Sequence, residues 1–470
     1  MAGNILHSAT VAALFCFSFS LKADDSITIT IDAAQSLGAF KQLHGINKGP
    51  LAPDGLIDVT EAQRTLRIPW TRLHDCHWPN PDVVDMHVLF PNPMADPSLE
   101  ASYQFKRTDR YLAAVKQTGA GIVFRLGESI EHEVEKLHVH PPADPARWAD
   151  ACIGIIRHYN EGWADGHHFG IPYWEIWNEP ENRPVMWTGN DAQFLELYRI
   201  ASRKIKAQFP SLKVGGPSIG GTGEIRDGKW VPSAFLATFL RTCQTDSLPL
   251  DFFSWHCYTN DPAELVLRAK GVRALLDELG FQKTESHLNE WNFLPNNSWT
   301  GLGRDGTPAQ RTAAYEAMSG PPGAAFIAAS LMQLQDAPVD VANLFHGECG
   351  GFGLFTENGV PTANYHALLA FSQLATLPNR IVCSSSSNPH CTAVAGLSAD
   401  KSSLSLLISC PTAGKQSLKC DLKNLPWPAT ATIYPISPAQ PASEAALNGS
   451  RLQLSLSGPT VIMVRVQNSK

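Results

Sequence analysis

The chain has 470 residues, 44% hydrophobic and 17% charged, which suffices for a large core and excludes a disordered, collagen-like or small disulfide-framework protein. Lys and Arg number 37 against 44 Asp and Glu, a net charge of −7, and this argues against a nucleic-acid partner, which needs clustered cations. Tryptophan is unusually frequent, 12 against 9 Tyr, and an indole is a good platform for the apolar face of a sugar.

In chain order, the first feature is the apolar stretch Thr10–Leu21. It is too short to span a bilayer, which takes about 20 residues. With Ala23 at its end and Asp24 and Asp25 beyond, residues 1–23 read as a signal peptide, so the mature chain is expected to be secreted or periplasmic and free of the membrane. The alternating run Ser26–Ile31, within residues 24–39, is expected to lend a strand to a β-module further on.

Residues 40–376 alternate short β-rich runs with helical ones. The strand candidates are Gln42–Asn47, Pro69–His74, Ile122–Leu126, Tyr173–Trp177, Lys213–Gly216, Phe252–Tyr258, His287–Trp291 and Val339–Phe345. The helical candidates between and after them are Asp58–Leu66, Phe105–Thr118, Pro145–Tyr159, Ala192–Gln208, Ser233–Thr242, Ala263–Leu279, Gln310–Gln335 and Thr362–Leu374. Asp144-Pro145 and Asp261-Pro262 are helix starts, each a capping residue followed by a first-turn proline. Eight strand–helix units predict an α/β protein with a (β/α)8 TIM barrel, whose site is built by the loops after its strands. A doubly wound sheet usually opens on a Gly-rich phosphate turn, and none follows the first strand. Residues 377–470 change to short strands with Ser, Pro and Asn punctuation, Thr392–Leu397, Ser403–Ser409, Ser417–Leu422, Thr430–Ile436, Arg451–Leu456 and Val461–Val466, and predict a small C-terminal β-sandwich domain. There, Cys383 with Cys391 and Cys410 with Cys420 are expected to form local bridges, the remaining cysteines being buried thiols.

Two strand ends carry chemistry. Trp174-Glu175-Ile176-Trp177-Asn178-Glu179-Pro180 presents Glu179 beside an amide at the end of the fourth barrel strand. Ser286-His287-Leu288-Asn289-Glu290-Trp291 presents Glu290 at the end of the seventh. Cleaving a glycoside takes two carboxyls flanking the bond, one to protonate the leaving oxygen and one to attack the anomeric carbon or activate water. Tryptophans concentrate at the same places, namely Trp174, Trp177, Trp255 and Trp291.

Trp177-Asn178-Glu179-Pro180 with a seventh-strand Glu resembles the retaining (β/α)8-barrel glycosidases of clan A. Within that clan the chain is most similar to glycoside hydrolase family 39, which holds β-xylosidases and α-L-iduronidases. The similarity runs from His44-Gly45-Ile46-Asn47-Lys48-Gly49-Pro50 through Gly351-Phe352-Gly353-Leu354 and into the β-module. It implies that Glu179 is the general acid/base, Glu290 the nucleophile and Asn178 the holder of the substrate 2-hydroxyl. It also implies that Arg72 neighbours the nucleophile and that Tyr258, in His256-Cys257-Tyr258, hydrogen-bonds it. A cation and a phenol beside Glu290 are expected to lower its pKa, while a drier setting keeps Glu179 protonated. Where the clan carries a Trp at the end of the eighth strand, this sequence offers only Phe345 or His346. Further sugar contacts are expected from His44, Asp75, His87, Arg125, Glu128, Trp187 and Trp299, with His77, Trp78 and Asp85 helping to shape the second-strand loop.

Rival signals are weaker. His132, His138 and His140 with Glu133 and Glu135, and the pair His167-His168, lack the spacing of a helical metal motif and read as solvated loop histidines. No metal and no cofactor are expected. Gly220-Gly221-Thr222-Gly223 lacks the Lys-Ser/Thr of a phosphate cradle, and no Gly-x-Ser-x-Gly elbow is present. The reading is a secreted, retaining, exo-acting glycoside hydrolase on a carbohydrate substrate. An endo-glycanase of the same clan is the alternative, as is a non-catalytic carbohydrate-binding barrel, which predicts loss of one carboxylate; both are present.

Overall fold

The computed structural model describes residues 27–469, apart from 54, 80, 386–390, 426, 437–439 and 446. The expected signal peptide lies outside the described residues.

After β1 (Ile27–Gly38), eight parallel strands close into a barrel: β2 (Gly45–Asn47), β3 (Trp70–Leu73), β4 (Gly121–Leu126), β5 (Tyr173–Ile176), β6 (Lys213–Ile219), β9 (Phe252–Thr259), β10 (Glu285–Phe293) and β11 (Val341–Leu344). A hairpin of β7 (Gly223–Arg226) and β8 (Lys229–Pro232) interrupts the loop after β6. The helices are α1 (Thr60–Thr65), α2 (Met86–Leu89), α3 (Lys106–Gln117), α4 (Pro145–Glu161), α5 (Asp191–Gln208), α6 (Ala234–Thr245), α7 (Pro262–Glu278), α8 (Pro308–Ser319), α9 (Pro321–Gln333) and α10 (Ala363–Ala375). Asp144 caps α4 by accepting from the backbone N–H of Ala146 and Arg147, and Asp261 caps α7 likewise through Ala263. The single helix expected over 310–335 is two, because Gly320 is extended and Pro321 cannot continue α8 but suits the first turn of α9.

Strand alternation sorts the barrel side chains. On β5, Tyr173 and Glu175 face inward: Tyr173 packs with Trp70, Val123 and Phe252, and Glu175 bonds Arg72. Trp174 and Ile176 face outward into the main core beneath the helices. Trp177, Trp255 and Trp291 join that core, so the tryptophan cluster serves packing rather than a sugar platform. The indole N–H of Trp174 donates to the Ile171 carbonyl and that of Trp177 to the Met186 carbonyl.

The remaining strands form a separate eight-stranded sheet: β1, β12 (Asn379–Ser385), β13 (Thr392–Leu397), β14 (Ser403–Lys423), β15 (Ala429–Pro435), β16 (Ser443–Ala445), β17 (Leu447–Asn448) and β18 (Arg451–Asn468). β1 pairs with β12 on one side and with the second half of β14 on the other. Both halves of β14 thereby face one core, Leu404, Leu406 and Ile408 meeting Leu418, Leu422 and Ile29. The cysteine pairing differs from expectation, for the bridge joins Cys391 to Cys410. Thr392 lies opposite Ser409 on the β13–β14 ladder, which brings the next residues outward, the two cysteines, within 4.5 Å at Cα. Cys383 and Cys420 instead sit opposite Ile31 and Ile29, on the two flanks of β1.

Candidate active site

The mouth of the barrel is assembled around a buried guanidinium. Arg72, on β3, is fully buried inside the lumen, and each of its donor nitrogens ends on an acceptor. Nε donates to Glu175 (2.7 Å); Nη1 to Asn47 (3.0 Å) and Glu290 (2.8 Å); Nη2 to Asn178 (2.7 Å) and Ser218 (2.8 Å). One cation thus orients side chains from β2, β5, β6 and β10. Asn289 adds a second tie, donating to Glu175 (2.6 Å) and Ser218 (2.9 Å).

Past Ile176 the chain leaves strand geometry: Trp177 and Glu179 take positive φ (70° and 42°), as does Ser218 at the end of β6 (60°). Such non-glycine conformations are held in place by the surrounding bonds and are a mark of functional sites. Here the Glu179 N–H donates to the Ser218 carbonyl (2.9 Å) and the turn aims the carboxylate into the mouth. Its Oε1 lies 2.7 Å from His256 Nδ1, and its Oε2 accepts from Asn182 (2.8 Å). Glu290 accepts from Tyr258 (2.9 Å) as well as from Arg72, and His256 Nδ1 at 3.5 Å and His74 Nε2 at 3.8 Å are also near it. One oxygen of each carboxylate and a ring nitrogen of His256 lie within 4.8 Å of one another.

The electrostatics reverse the expected order. Burial works to raise both carboxyls. For Glu179 the hydrogen bond and charge of His256 outweigh burial and hold it below the usual carboxylate range. Glu290 stays above that range, burial and the charge of Glu179 prevailing over His256 and Arg72. His256 itself is raised: burial disfavours its charge, but Glu290 and Glu179 more than compensate. The His256 imidazole, favoured in its charged form by both carboxylates, stands next to Glu179, while Arg72 divides its charge between Glu175 and Glu290.

A cavity of about 620 Å3 opens over this group. Glu179, Glu290, Asn178, Tyr258, Asp75 and Trp299 line it, and Arg72 and His256 lie directly beneath. With Asn178 Oδ1 occupied by Arg72 and Ser218, its amide N–H groups are left for the cavity. The eighth strand contributes Phe345 to the wall, beside Phe352, while His346 is buried. A larger cleft, about 950 Å3 beside α8, carries one carboxylate, Asp261, which is occupied in capping α7.

Five residues expected at the substrate lie elsewhere. His44 precedes β2, its Nε2 3.0 Å from the Arg67 carbonyl and its ring against Phe371, and burial holds its pKa down at about 4. Trp187 is fully buried against Trp177 (4.9 Å). Arg125 is buried on Asp85 and Ser129. His87 and Glu128 bond each other (2.6 Å) on the wall of a separate cavity of about 390 Å3, which Trp148 and Trp177 also line. Sequence reasoning missed Glu175, Asn289, Ser218, Asn47 and Glu181. Period-two alternation against the outward Trp174 and Ile176 puts Glu175 in the lumen, where a buried Arg needs a counter-charge, so that residue was within reach.

A family model for the glycosyl hydrolases family 39 matches residues 95–397. A beta-xylosidase of Geobacillus stearothermophilus is 29% identical over 272 residues, 51% of this chain and 48% of that protein. A beta-xylosidase of Caldicellulosiruptor saccharolyticus is 26% identical over 260 residues, with the same coverage of 51% and 48%. The match therefore spans about half the length of these relatives. Among solved structures, a glucosidase from Croceicoccus marinus superposes with a TM-score of 0.74 at 25% identity, covering 95% of this chain and 100% of that one. A monomeric beta-xylosidase from Caulobacter crescentus gives 0.67 at 16% identity, covering 94% and 100%, a likeness of fold. The closed barrel, its paired carboxylates and the extent of the family match lead to one conclusion: the chain belongs to glycosyl hydrolases family 39.

Proposed function

We propose that the protein is a retaining, exo-acting glycosidase of the β-xylosidase type, with Glu290 as nucleophile and Glu179 as acid and then base. The observation that carries this is the approach of the two carboxylates, oxygen to oxygen within 4.8 Å. Retaining enzymes hold their carboxyls about 5–5.5 Å apart, whereas inverting ones leave about 6.5–9.5 Å for a water. In the first step a Glu290 oxygen bonds the anomeric carbon as the bond to the leaving oxygen breaks, and that oxygen takes a proton from the Glu179–His256 pair. In the second step water attacks the same carbon, gives a proton back to Glu179 and frees Glu290. Arg72 and Tyr258 both donate to the ionised form of Glu290, the form that attacks. The cavity is of small-ligand size and walled by Tyr258, Trp299, Phe345 and Phe352, which suits one terminal sugar and supports exo-action. The Cys391–Cys410 bridge supports work in an oxidising, extracytoplasmic compartment.

The test is an aryl glycoside panel (xyloside, arabinoside, galactoside, glucoside, iduronide) with wild type, Glu290→Ala and Glu179→Ala. The xyloside is expected to turn over with retention. Azide should rescue Glu290→Ala to a glycosyl azide of inverted configuration and Glu179→Ala to one of retained configuration. Full activity in Glu290→Ala, or turnover with inversion by the wild type, overturns the assignment.

A further inference from the structure

Away from the barrel mouth, three side chains with metal-ligating atoms converge where α3 meets the end of α4. His158 Nε2 lies 3.0 Å from Asp109 Oδ1, and His167 Nε2 lies 3.7 Å from the same oxygen. The three ligand atoms lie within 4.8 Å of one another, and none of these residues takes part in the site above.

The hydrogen bonds around the group fix which nitrogen of His158 faces the carboxylate. His158 Nδ1 is 2.9 Å from the Trp163 carbonyl oxygen, which can only accept, so Nδ1 carries the hydrogen. That leaves Nε2 as the ring nitrogen facing the Asp109 oxygen at 3.0 Å, where a metal ion bound by both would replace the hydrogen they share. An imidazole that ligates a metal through one nitrogen and donates to a backbone carbonyl through the other has this arrangement. His167 supplies an independent observation: its Nε2 is buried and makes no hydrogen bond. The His167 ring lies flat on Phe169 (4.4 Å between centroids), and it stands at 89° to the His158 ring, edge to face rather than stacked. The connecting loop is shaped to this contact. Gly162, Ala164 and Asp165 all take positive φ and wind the chain back over α4, and a Cβ at Gly166 would stand 2.7 Å from His158 Nδ1.

We propose that Asp109, His158 and His167 form a binding site for a divalent transition-metal ion, Zn2+ by ligand chemistry, which ties α3 to the loop that leads into β5. Two imidazoles and one carboxylate suit Zn2+ and not Ca2+ or Mg2+, and the partial exposure of Asp109 and His167 leaves room for water as the fourth ligand.

The experiment titrates ZnCl2 into chelator-treated full-length protein near neutral pH, following bound metal by equilibrium dialysis and stability by thermal unfolding. The variants are His167→Ala and, as a control on the other His–carboxylate group at Asp85, His87 and Glu128, His87→Ala. Wild type and His87→Ala should bind one Zn2+ per chain, with His167→Ala weaker by about 10-fold or more. At a hundredfold excess over Kd the wild-type midpoint should rise by about 3 °C, a rise absent from His167→Ala. Equal midpoints of metal-free wild type and His167→Ala show that the variant folds. No binding by the wild type, or undiminished binding by His167→Ala, overturns the proposal.

Discussion

At the scale of residues, Arg72 is the hub, because its donors end on Asn47, Glu175, Asn178, Ser218 and Glu290. Arg72→Met leaves Glu175 and Glu290 buried without their cation, and is expected to cost about 3–5 kcal/mol in urea unfolding. Arg72→Lys should not restore activity, since an ammonium lacks the planar fork that reaches acceptors on several strands. A near-wild-type unfolding midpoint for Arg72→Met would remove the hub from the account. Glu181 sets a second test. Its Oε1 accepts from the Gly221 N–H, and burial followed by the charge of Glu179 pushes its pKa up to about 7. Below that pH it is neutral; above it, its charge beside Glu179 strengthens the hold of Glu179 on a proton. Glu181→Gln removes that charge, so the alkaline limb of kcat/KM should move to lower pH; an unmoved limb contradicts the coupling. The two catalytic candidates were legible because Asn178-Glu179-Pro180 follows the end of β5 and Asn289-Glu290-Trp291 lies toward the end of β10. The direction of their titration was not. It depends on His256 Nδ1 leaning to Glu179 by 2.7 Å and on Glu175 sharing Arg72, neither of which spacing along the chain reveals.

At the scale of elements, alternation made the barrel strands readable, since an outward apolar set alternates with inward residues that are polar near the mouth, such as Arg72, Glu175 and His256. Elements were misread where a breaker sits inside a continuous structure. β14 and β18 were each expected as two strands, with Pro411 and Pro459 falling in the gaps between them. In the fold these breakers face each other, with Cys410 opposite Thr460 and Gly414 opposite Gly458, so one irregularity in the ladder absorbs both and the strands run on. The Gly220-Gly221 pair after β6 lies against the proposed acid, Glu179. A Cβ at Gly220 would stand 2.4 Å from Glu179 Oε1. Gly220→Ala therefore shifts the carboxylate off His256, and a misplacement of that size is expected to lower kcat by about 100-fold. The unfolding midpoint should change little, as the position is at the rim. Equal losses in Gly220→Ala and in a thermal melt would instead mean that the loop is a folding element.

At the scale of the whole molecule, the barrel and the C-terminal sheet share one apolar seam built on α9. Every α9 residue from Gly323 to Met332 is buried, which a helix facing solvent on one side does not do. Val394, Leu407, Val461 and Met463 from the sheet belong to the same packed cluster as Ala325, Phe326, Leu331 and Met332. The Ser409 hydroxyl adds a bond to the Ala325 carbonyl (2.7 Å). β10, which carries Glu290, packs on α9 as well, so the helix stands between the sheet and the proposed nucleophile. Leu407 is fully buried at that seam, and its replacement by Ala is expected to cost about 2–5 kcal/mol through lost burial and the cavity left behind. Because α9 is held on both sides, the loss should lower one cooperative transition for the entire chain, and aryl glycosidase activity should melt along with it. Calorimetry of Leu407→Ala decides the point. A new low-temperature transition for the sheet, with the barrel melting and activity left where they were, would mean that the sheet is an independent passenger and that α9 gains its burial from the barrel alone.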